Sequence, residues 1–224
     1  MDTNTARQFW IRSPGLGEIL AADLAPRQEG EVLVRAIYSG ISRGTEALVF
    51  RGEVPESQHQ AMRAPFQEGD FPGPVKYGYS SVGTVIEGPD DLEGCTVFCL
   101  YPHQDLYCVP AASVMLLPDG LPEARAVLAA NAETALNAVW DARPGPGDRI
   151  AVIGLGVVGL LTAWLCDQLP GTEVVAFDVD PGRAPIAETL GLSFTSEPPV
   201  GADADLVIHA SGQEEGLRTA LDAA

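Results

Sequence analysis

Arg149-Ile-Ala-Val-Ile-Gly154-Leu-Gly156-Val157-Val158-Gly159-Leu-Leu-Thr-Ala-Trp-Leu-Cys166, followed by Glu173-Val-Val-Ala-Phe-Asp178, decides how the rest of this chain is read. A short apolar strand runs into three glycines spaced G-x-G-x-x-G, a helix follows, and a second apolar strand ends in an acid. That order defines a dinucleotide-binding unit. Gly154 permits the tight turn, Gly156 lets the backbone approach a pyrophosphate, and Gly159 lets the helix lie close on the strand. The amides of Val157 and Val158 open the helix and offer N–H groups to an anion. Glycine spacing alone carries little weight in a chain with 24 glycines among 224 residues. Strand before, helix after and Asp178 at the end of the next strand supply the specificity.

Composition restricts the partners. The formal charge is −18, with 13 basic against 31 acidic residues, and no stretch clusters cations. Nucleic acid and anionic membrane both require a basic patch, so neither is expected, and a small molecule is the expected substrate. The N-terminus Met1-Asp-Thr-Asn-Thr-Ala-Arg7 lacks the apolar stretch of a signal peptide, which points to a cytoplasmic protein. The longest apolar run, Ile150 to Cys166, is broken by the three glycines and is no membrane span. Cys95, Cys99 and Cys108 follow C-x3-C-x8-C, without the paired spacing of a structural zinc knuckle, and with Cys166 read as small reduced apolar residues.

Texture changes along the chain. Glu31–Tyr38, Ser81–Glu87, Thr96–Tyr101 and Asp105–Val109 are β-rich and separated by Gly, Pro and Asp clusters, which predicts a small β-barrel over residues 1–120. From Leu121 the pattern is helical, in Pro122–Ala130 and Glu133–Ala142, and Gly-Pro-Gly-Asp then leads into the first nucleotide-binding strand. After Asp178 a helix over 183–190, a strand over Asp205–Ala210 and a helix from Gln213 complete an α/β domain over 121–224.

This order of parts resembles the medium-chain dehydrogenase/reductase superfamily, in which a GroES-like barrel precedes a doubly wound Rossmann domain. Leu116-Leu-Pro-Asp-Gly-Leu121 at the junction and Gly154–Gly159 carry the resemblance, with two barrel segments. Ser39-Gly-Ile-Ser-Arg-Gly-Thr-Glu46 is similar to the family's G-I-C-x-x-D, and Gly78-Tyr-Ser-Ser-Val-Gly-Thr-Val85 to its G-H-E-x-x-G-x-V. The Ser-Arg-Gly-Thr-Glu form is similar to a branch that includes bacteriochlorophyllide dehydrogenases. The resemblance implies an oxidoreductase moving hydride between a nicotinamide and a small alcohol/carbonyl pair or an activated alkene. It also implies two further Rossmann strands and a returning segment beyond Ala224, so the chain reads as C-terminally truncated and its Rossmann domain as incomplete. A nucleotide-binding module without turnover is the alternative, and a homo-oligomer is compatible with a full-length form.

Departures from the family pattern bear on the metal. Zinc-dependent members ligate their catalytic ion through cysteine, through the His and Glu of G-H-E, and through a residue before the Rossmann strand. The matching positions here are Ser42 or Arg43, Tyr79, Ser80, and Ala130 or Asn131. Zinc prefers thiolate, imidazole and carboxylate, so no zinc is expected unless His103 with Asp105, Glu46 or Cys108 builds an unusual site.

Without a metal, hydrogen-bond donors must polarise the substrate and a side chain must handle its proton. Tyr79 stands at the histidine position, and Lys76 nearby reads either as its tuner or as a solvated lysine beside a core tyrosine. Thr45 matches the family's relay hydroxyl, and His103 lies in a loop where an imidazole can act as acid or base. Asp178 suits the ribose hydroxyls of NAD and disfavours the 2′-phosphate of NADP. Arg183 can reach a phosphate or stack on adenine. By the resemblance, Thr134 lies near the nicotinamide and Ser211 at the crevice, with His209 structural.

Overall fold

The computed structural model describes residues 5–199, 201 and 203–224. The chain divides into two compact units, Met1–Ala130 and Asn131–Ala224.

The first unit opens with a hairpin, β1 (Thr5–Ser13) and β2 (Leu16–Asp23), turned at Gly15 with φ 77°. Strand β3 (Glu31–Ser39) leads into α1 (Arg43–Arg51). Two short strands, β4 (Glu68–Gly69) and β5 (Val75–Lys76), precede β6 (Ser81–Glu87), β7 (Thr96–Cys99), β8 (Leu106–Pro110) and β9 (Val114–Leu116). They form two antiparallel sheets, ordered β2-β1-β5-β4 and β8-β3-β6-β7-β9, and a bridge between Gln8 and Gln104 links them. Val32, Val34, Val85, Val97, Tyr107 and Val109 fill one core, as alternation on half-buried strands requires. Ile11, Val49, Phe71, Val75 and Tyr77 form a second core beneath α1.

Helix α2 (Glu123–Ala126) packs Ala126 against Val82 and Phe98 of the barrel, and helix α3 (Ala129–Ala142) begins in the first unit. The expected boundary near residue 120 therefore falls ahead of the observed division, because α2 covers barrel residues although its composition is helical.

The second unit holds a parallel sheet ordered β12-β11-β10-β13, from β10 (Arg149–Ile153), β11 (Glu173–Phe177), β12 (Ser193–Thr195) and β13 (Leu206–His209). Helices α4 (Val157–Asp167), α5 (Ala184–Thr189) and α6 (Glu214–Ala223) connect and flank it. The order is 3-2-1-4, the first part of the doubly wound 3-2-1-4-5-6 sheet. Gly159, Leu160, Ala163 and Cys166 are buried along one face of α4, and Ile150, Val152, Val174 and Ala176 meet them from the sheet. No helix among the described residues is long and apolar enough to cross a membrane.

Candidate functional site

The glycine loop lies at the carboxyl end of β10, between β11 and β13, where a sheet of this order changes direction and ligands bind. Gly154 has φ 98°, and a Cβ there would stand 2.5 Å from the Ser211 backbone. Only glycine lets the end of β10 pass so close to the end of β13. At Gly159 a Cβ would collide with the Gly154 carbonyl and approach Ala210 Cβ at 3.3 Å, so this glycine closes the helix onto the turn. Gly156 differs from both. It caps α4 in an extended conformation, and a Cβ on it would meet nothing within 4 Å. The open ground is in front of the first α4 amides, those of Val157 and Val158, which have no earlier carbonyl within the helix to bond.

Asp178 follows β11. One carboxylate oxygen accepts the Leu155 amide at 2.6 Å and the other accepts the Asp180 amide at 2.9 Å, while the residue stays partly exposed. The acid thus ties the second strand to the glycine loop and keeps lone pairs for hydroxyl donors. Arg183 lies 3.4 Å from Asp180, and its Nε is buried without a hydrogen bond. Ser211 Oγ pairs with His209 Nε2 at 2.6 Å and accepts the Gln213 amide at 3.1 Å. His209 is structural in this sense: it fixes the serine beside Gly154. Thr134 is exposed on α3. Open ground at Gly156 and the acid at the strand end fit a dinucleotide.

In the barrel unit the expected residues part company. Thr45 sits in the first turn of α1, half-buried. Tyr79 packs edge-on against Tyr77 at 6.0 Å and leans on the core beneath α1. Burial, with Tyr79 and Glu46 as further causes, pushes the Tyr77 phenol above its ordinary range. Lys76 is neither solvated nor the tuner of Tyr79. It is fully buried, its ammonium pairs with Glu68 and donates to Gln104 Oε1 at 2.7 Å, and it lies 5.5 Å over the Tyr101 ring. A buried cation must be paired, and those partners turn it away from the loop that follows.

His103 is the residue with the most complete surroundings. Its Nε2 lies 2.5 Å from Glu46 Oε2 and its Nδ1 lies 2.6 Å from Ser39 Oγ. Glu46 comes from α1, and its other oxygen accepts the Ser42 amide at 2.7 Å. The side chains of His103 and Glu46 are 14% and 11% exposed. Gly78, at φ 127°, leaves room for the imidazole, since a Cβ there would stand 3.0 Å from the ring. Sequence reading named His103 and Thr45 as candidates, did not single out Ser39 and gave Glu46 only as a conceivable metal partner. Fifty-seven residues separate Glu46 from His103, and no local pattern joins them.

The donor set at the family's metal position does not fit zinc. Ser80 is 2% exposed and donates its hydroxyl to the Val127 carbonyl at 2.5 Å, Ser42 leads into α1, and Tyr79 is an aromatic of the barrel core. Ala130 offers no ligand atom, and Arg43 is a cation. Asp105 accepts the Arg7 amide, so it does not join His103 and Glu46. Among the described residues no group of three His, Cys, Asp or Glu side chains is placed to hold a metal ion.

An antiparallel barrel followed in sequence by a parallel sheet with a glycine turn at its switch point is an architecture shared with known dehydrogenases and reductases. Known proteins agree. D-guloside 3-dehydrogenase of Escherichia coli is 25% identical over 221 residues, covering 85% of this chain and 63% of its own length. The acetophenone reductase of Geotrichum candidum, solved in complex with NAD, superposes with a TM-score of 0.81 at 17% identity, over 100% of this chain and 73% of its own. A dehydrogenase of Sinorhizobium meliloti bound to NADP gives 0.78 at 18% identity, over 98% and 74%. The relatives and structural neighbours are zinc-type alcohol dehydrogenase-like members of the medium-chain dehydrogenase/reductase superfamily, and this chain has their fold. No family model matches the chain. It spans about three fifths of the length of that guloside dehydrogenase.

Proposed function

We propose that this protein is an oxidoreductase that uses NAD(H) to interconvert a small alcohol and its carbonyl, without catalytic zinc. The observation that carries the reading is Asp178. Its carboxylate is fixed by the Leu155 and Asp180 amides at the end of β11, beside the open ground at Gly156. A carboxylate held there accepts ribose hydroxyls and repels a 2′-phosphate, which favours NAD over NADP. Val157 and Val158 amides would hold the pyrophosphate, Arg183 would face the adenosine side, and Ser211 would border the crevice. Thr134 is assigned to the nicotinamide side by the resemblance.

When bound, the cofactor supplies the hydride acceptor or donor. The chain's own residues must bind, orient and handle the proton. Relatives named as dehydrogenases favour an alcohol/carbonyl pair over an activated alkene as the substrate class. Thr45, Tyr79 and His103 are the candidates for hydrogen bonding to substrate or for proton handling. The donor chemistry of Ser42, Tyr79 and Ser80 supports a route without zinc.

Titration of the protein with NADH, followed by fluorescence, together with NADH formation from a panel of small alcohols, tests the reading. Saturable binding with turnover supports it. Binding without turnover on any alcohol or carbonyl favours the nucleotide-binding module, and absence of binding removes both.

A further inference from the structure

Ser39, His103 and Glu46 stand in one hydrogen-bonded line within the barrel unit, in the order nucleophile, base, acid. The imidazole bridges the Ser39 hydroxyl at Nδ1 and the Glu46 carboxylate at Nε2. An ionised carboxylate can only accept, so the neutral ring donates from Nε2 and turns a bare Nδ1 to the serine. Backbone bonds fix the loop that carries the ring. The His103 amide donates to the Tyr77 carbonyl and its carbonyl accepts the Phe9 amide, while the Asp105 amide donates to the Arg7 carbonyl and its carbonyl accepts the Ala36 amide. Glu46 is held separately, by the Ser42 amide. Burying an acid and an imidazole costs desolvation that apolar side chains would avoid, and the pair has a chemical use when it activates an exposed hydroxyl. Ser39 is exposed at the end of β3, beside a cleft of about 280 Å³. A bulge in β3 between Ala36 and Tyr38 interrupts its alternation there, and Ile37, Tyr38 and Ser39 all border the cleft. Ile19, Ile37 and Tyr38 expose apolar surface around it, and Arg7 is the one permanent cation among the described residues that line it.

We propose that this cleft is an ester-hydrolysing site that needs no nucleotide, with Ser39 as its nucleophile. Its substrates are small neutral esters with a short apolar acyl group, which suit the volume of the cleft and the exposed Ile19, Ile37 and Tyr38. Ser39 Oγ attacks the ester carbonyl carbon, the Oγ–C bond forms, the carbonyl π pair moves to oxygen, and the serine proton passes to His103 Nδ1. The Arg7 guanidinium meets the charge gathered on that oxygen. The electron pair then returns, the bond to the oxygen of the leaving alcohol breaks, and His103 Nδ1 hands that oxygen the proton. Water, deprotonated by Nδ1, attacks the acyl-serine, the C–Oγ bond breaks, and Ser39 recovers its proton. Ester and water become acid and alcohol, with no oxidant or cofactor consumed. Ser39 and His103 are the catalytic residues. Glu46 is a positioning residue that fixes the ring's tautomer and offsets the imidazolium.

The test measures p-nitrophenol release from p-nitrophenyl acetate, without nucleotide, by wild type, Ser39→Ala, His103→Gln, Glu46→Gln and Arg7→Gln, each shown by circular dichroism to be folded. Wild type should give a burst of about one p-nitrophenol per chain and then steady turnover, as an acyl-enzyme does. Ser39→Ala and His103→Gln should lose about 10²-fold or more in kcat. Arg7→Gln should lose about 10-fold, less than the ~10²–10³ of a water-excluded oxyanion hole because this cleft is open. Glu46→Gln should move the rising limb of the pH–rate profile to lower pH, since a ring without its carboxylate gives up its proton more readily, and a merely structural acid would not move it. A second measurement needs no variant to fold. Diisopropyl fluorophosphate should modify Ser39 of wild type, the Oγ–P bond forming as P–F breaks, fluoride leaving and the serine proton passing to His103, and peptide mapping locates the adduct. Wild type that does not hydrolyse the ester, hydrolysis that survives in Ser39→Ala, or Ser39 left unlabelled overturns the proposal. None of these readouts involves NAD or an alcohol substrate, so each can fail while the oxidoreductase reading stands.

Discussion

The Leu155 amide donates to the Asp178 carboxylate at 2.6 Å, so the acid that ends β11 also braces the glycine turn that follows β10. Asp178→Ala therefore removes two things at once, a ribose acceptor and a loop tie. NAD binding should weaken by ~1–3 kcal/mol, the scale of hydrogen bonds to a charged group, with a smaller gap to NADP. Asp178→Asn keeps an oxygen for the Leu155 amide but loses the charge, and should retain more NAD affinity than the alanine variant. Isothermal titration with both cofactors checks this. Unchanged affinities in both variants would place the ribose acceptor elsewhere.

Gly156 and Gly159 sit three residues apart and should respond in opposite ways. A valine at Gly156 enters open space, so the protein should fold with an unchanged melting temperature and fail to bind NADH. A valine at Gly159 drives against the Gly154 carbonyl and Ala210, an overpacking worth ~1–3 kcal/mol or more, so stability should fall before binding is considered. Thermal unfolding and NADH fluorescence on the two variants separate the cases. Equal loss of stability in both would contradict the geometry at Gly156.

The nucleotide-binding unit was legible because its signals are local. Strand, glycine turn, helix and terminal acid follow one another within 30 residues, Arg149 to Asp178, and each residue's role comes from its own backbone chemistry. The barrel strands β3, β6, β7 and β8 were legible for the same reason, whereas the two- and three-residue strands β4, β5 and β9 are too short to carry an alternation. The hairpin β1–β2 was not legible either, because its buried positions include Gln8 as well as Ala6 and Ile11, while Leu16 and Ile19 of β2 face solvent, which blurs alternation. Helix α1 was hidden by the motif it carries: Ser39–Glu46 was read as a matched segment, and Gly44, Val49 and Phe50 give little helix propensity. The His103 surroundings were illegible in a stronger sense. Ser39, Glu46 and His103 meet through tertiary folding over 57 and 64 residues, distances at which spacing rules say nothing. The single lysine was misread for a related reason, since lysine is almost never fully buried and its partners lie eight and 28 residues away.

Lys76→Met tests that buried cation. Methionine fills similar volume but leaves Gln104 Oε1 without its donor, whereas Glu68 is half-exposed and can return to water. The expected cost is ~1–3 kcal/mol, the penalty of one unsatisfied buried acceptor, and not the larger loss that follows when a partner charge is stranded. Urea unfolding measures it. Because Gln104 adjoins His103, the variant should also make the 103–105 loop exchange its amide hydrogens faster, and unchanged exchange would mean that the backbone bonds of β1 suffice to hold it.

Alkaline pH should destabilise the protein through its buried thiols. Burial pushes the Cys99 thiol up to about 12 and Cys166 up to about 11, both from 9.0. A raised folded pKa means that the folded chain keeps protons which the unfolded chain gives up. Their contribution is fully present below pH 9 and is lost as pH rises through 9 toward 11 and 12. Burial raises Tyr101 and Tyr107 in the same direction, so they steepen the loss above pH 10. Urea midpoints at pH 8, 9.5 and 10.5 should fall progressively, and Cys166→Ala, although less stable at pH 8 through the lost packing, should show a shallower decline. A midpoint that stays level from pH 8 to 10.5 would mean that these thiols ionise as freely in the folded chain as in the unfolded one.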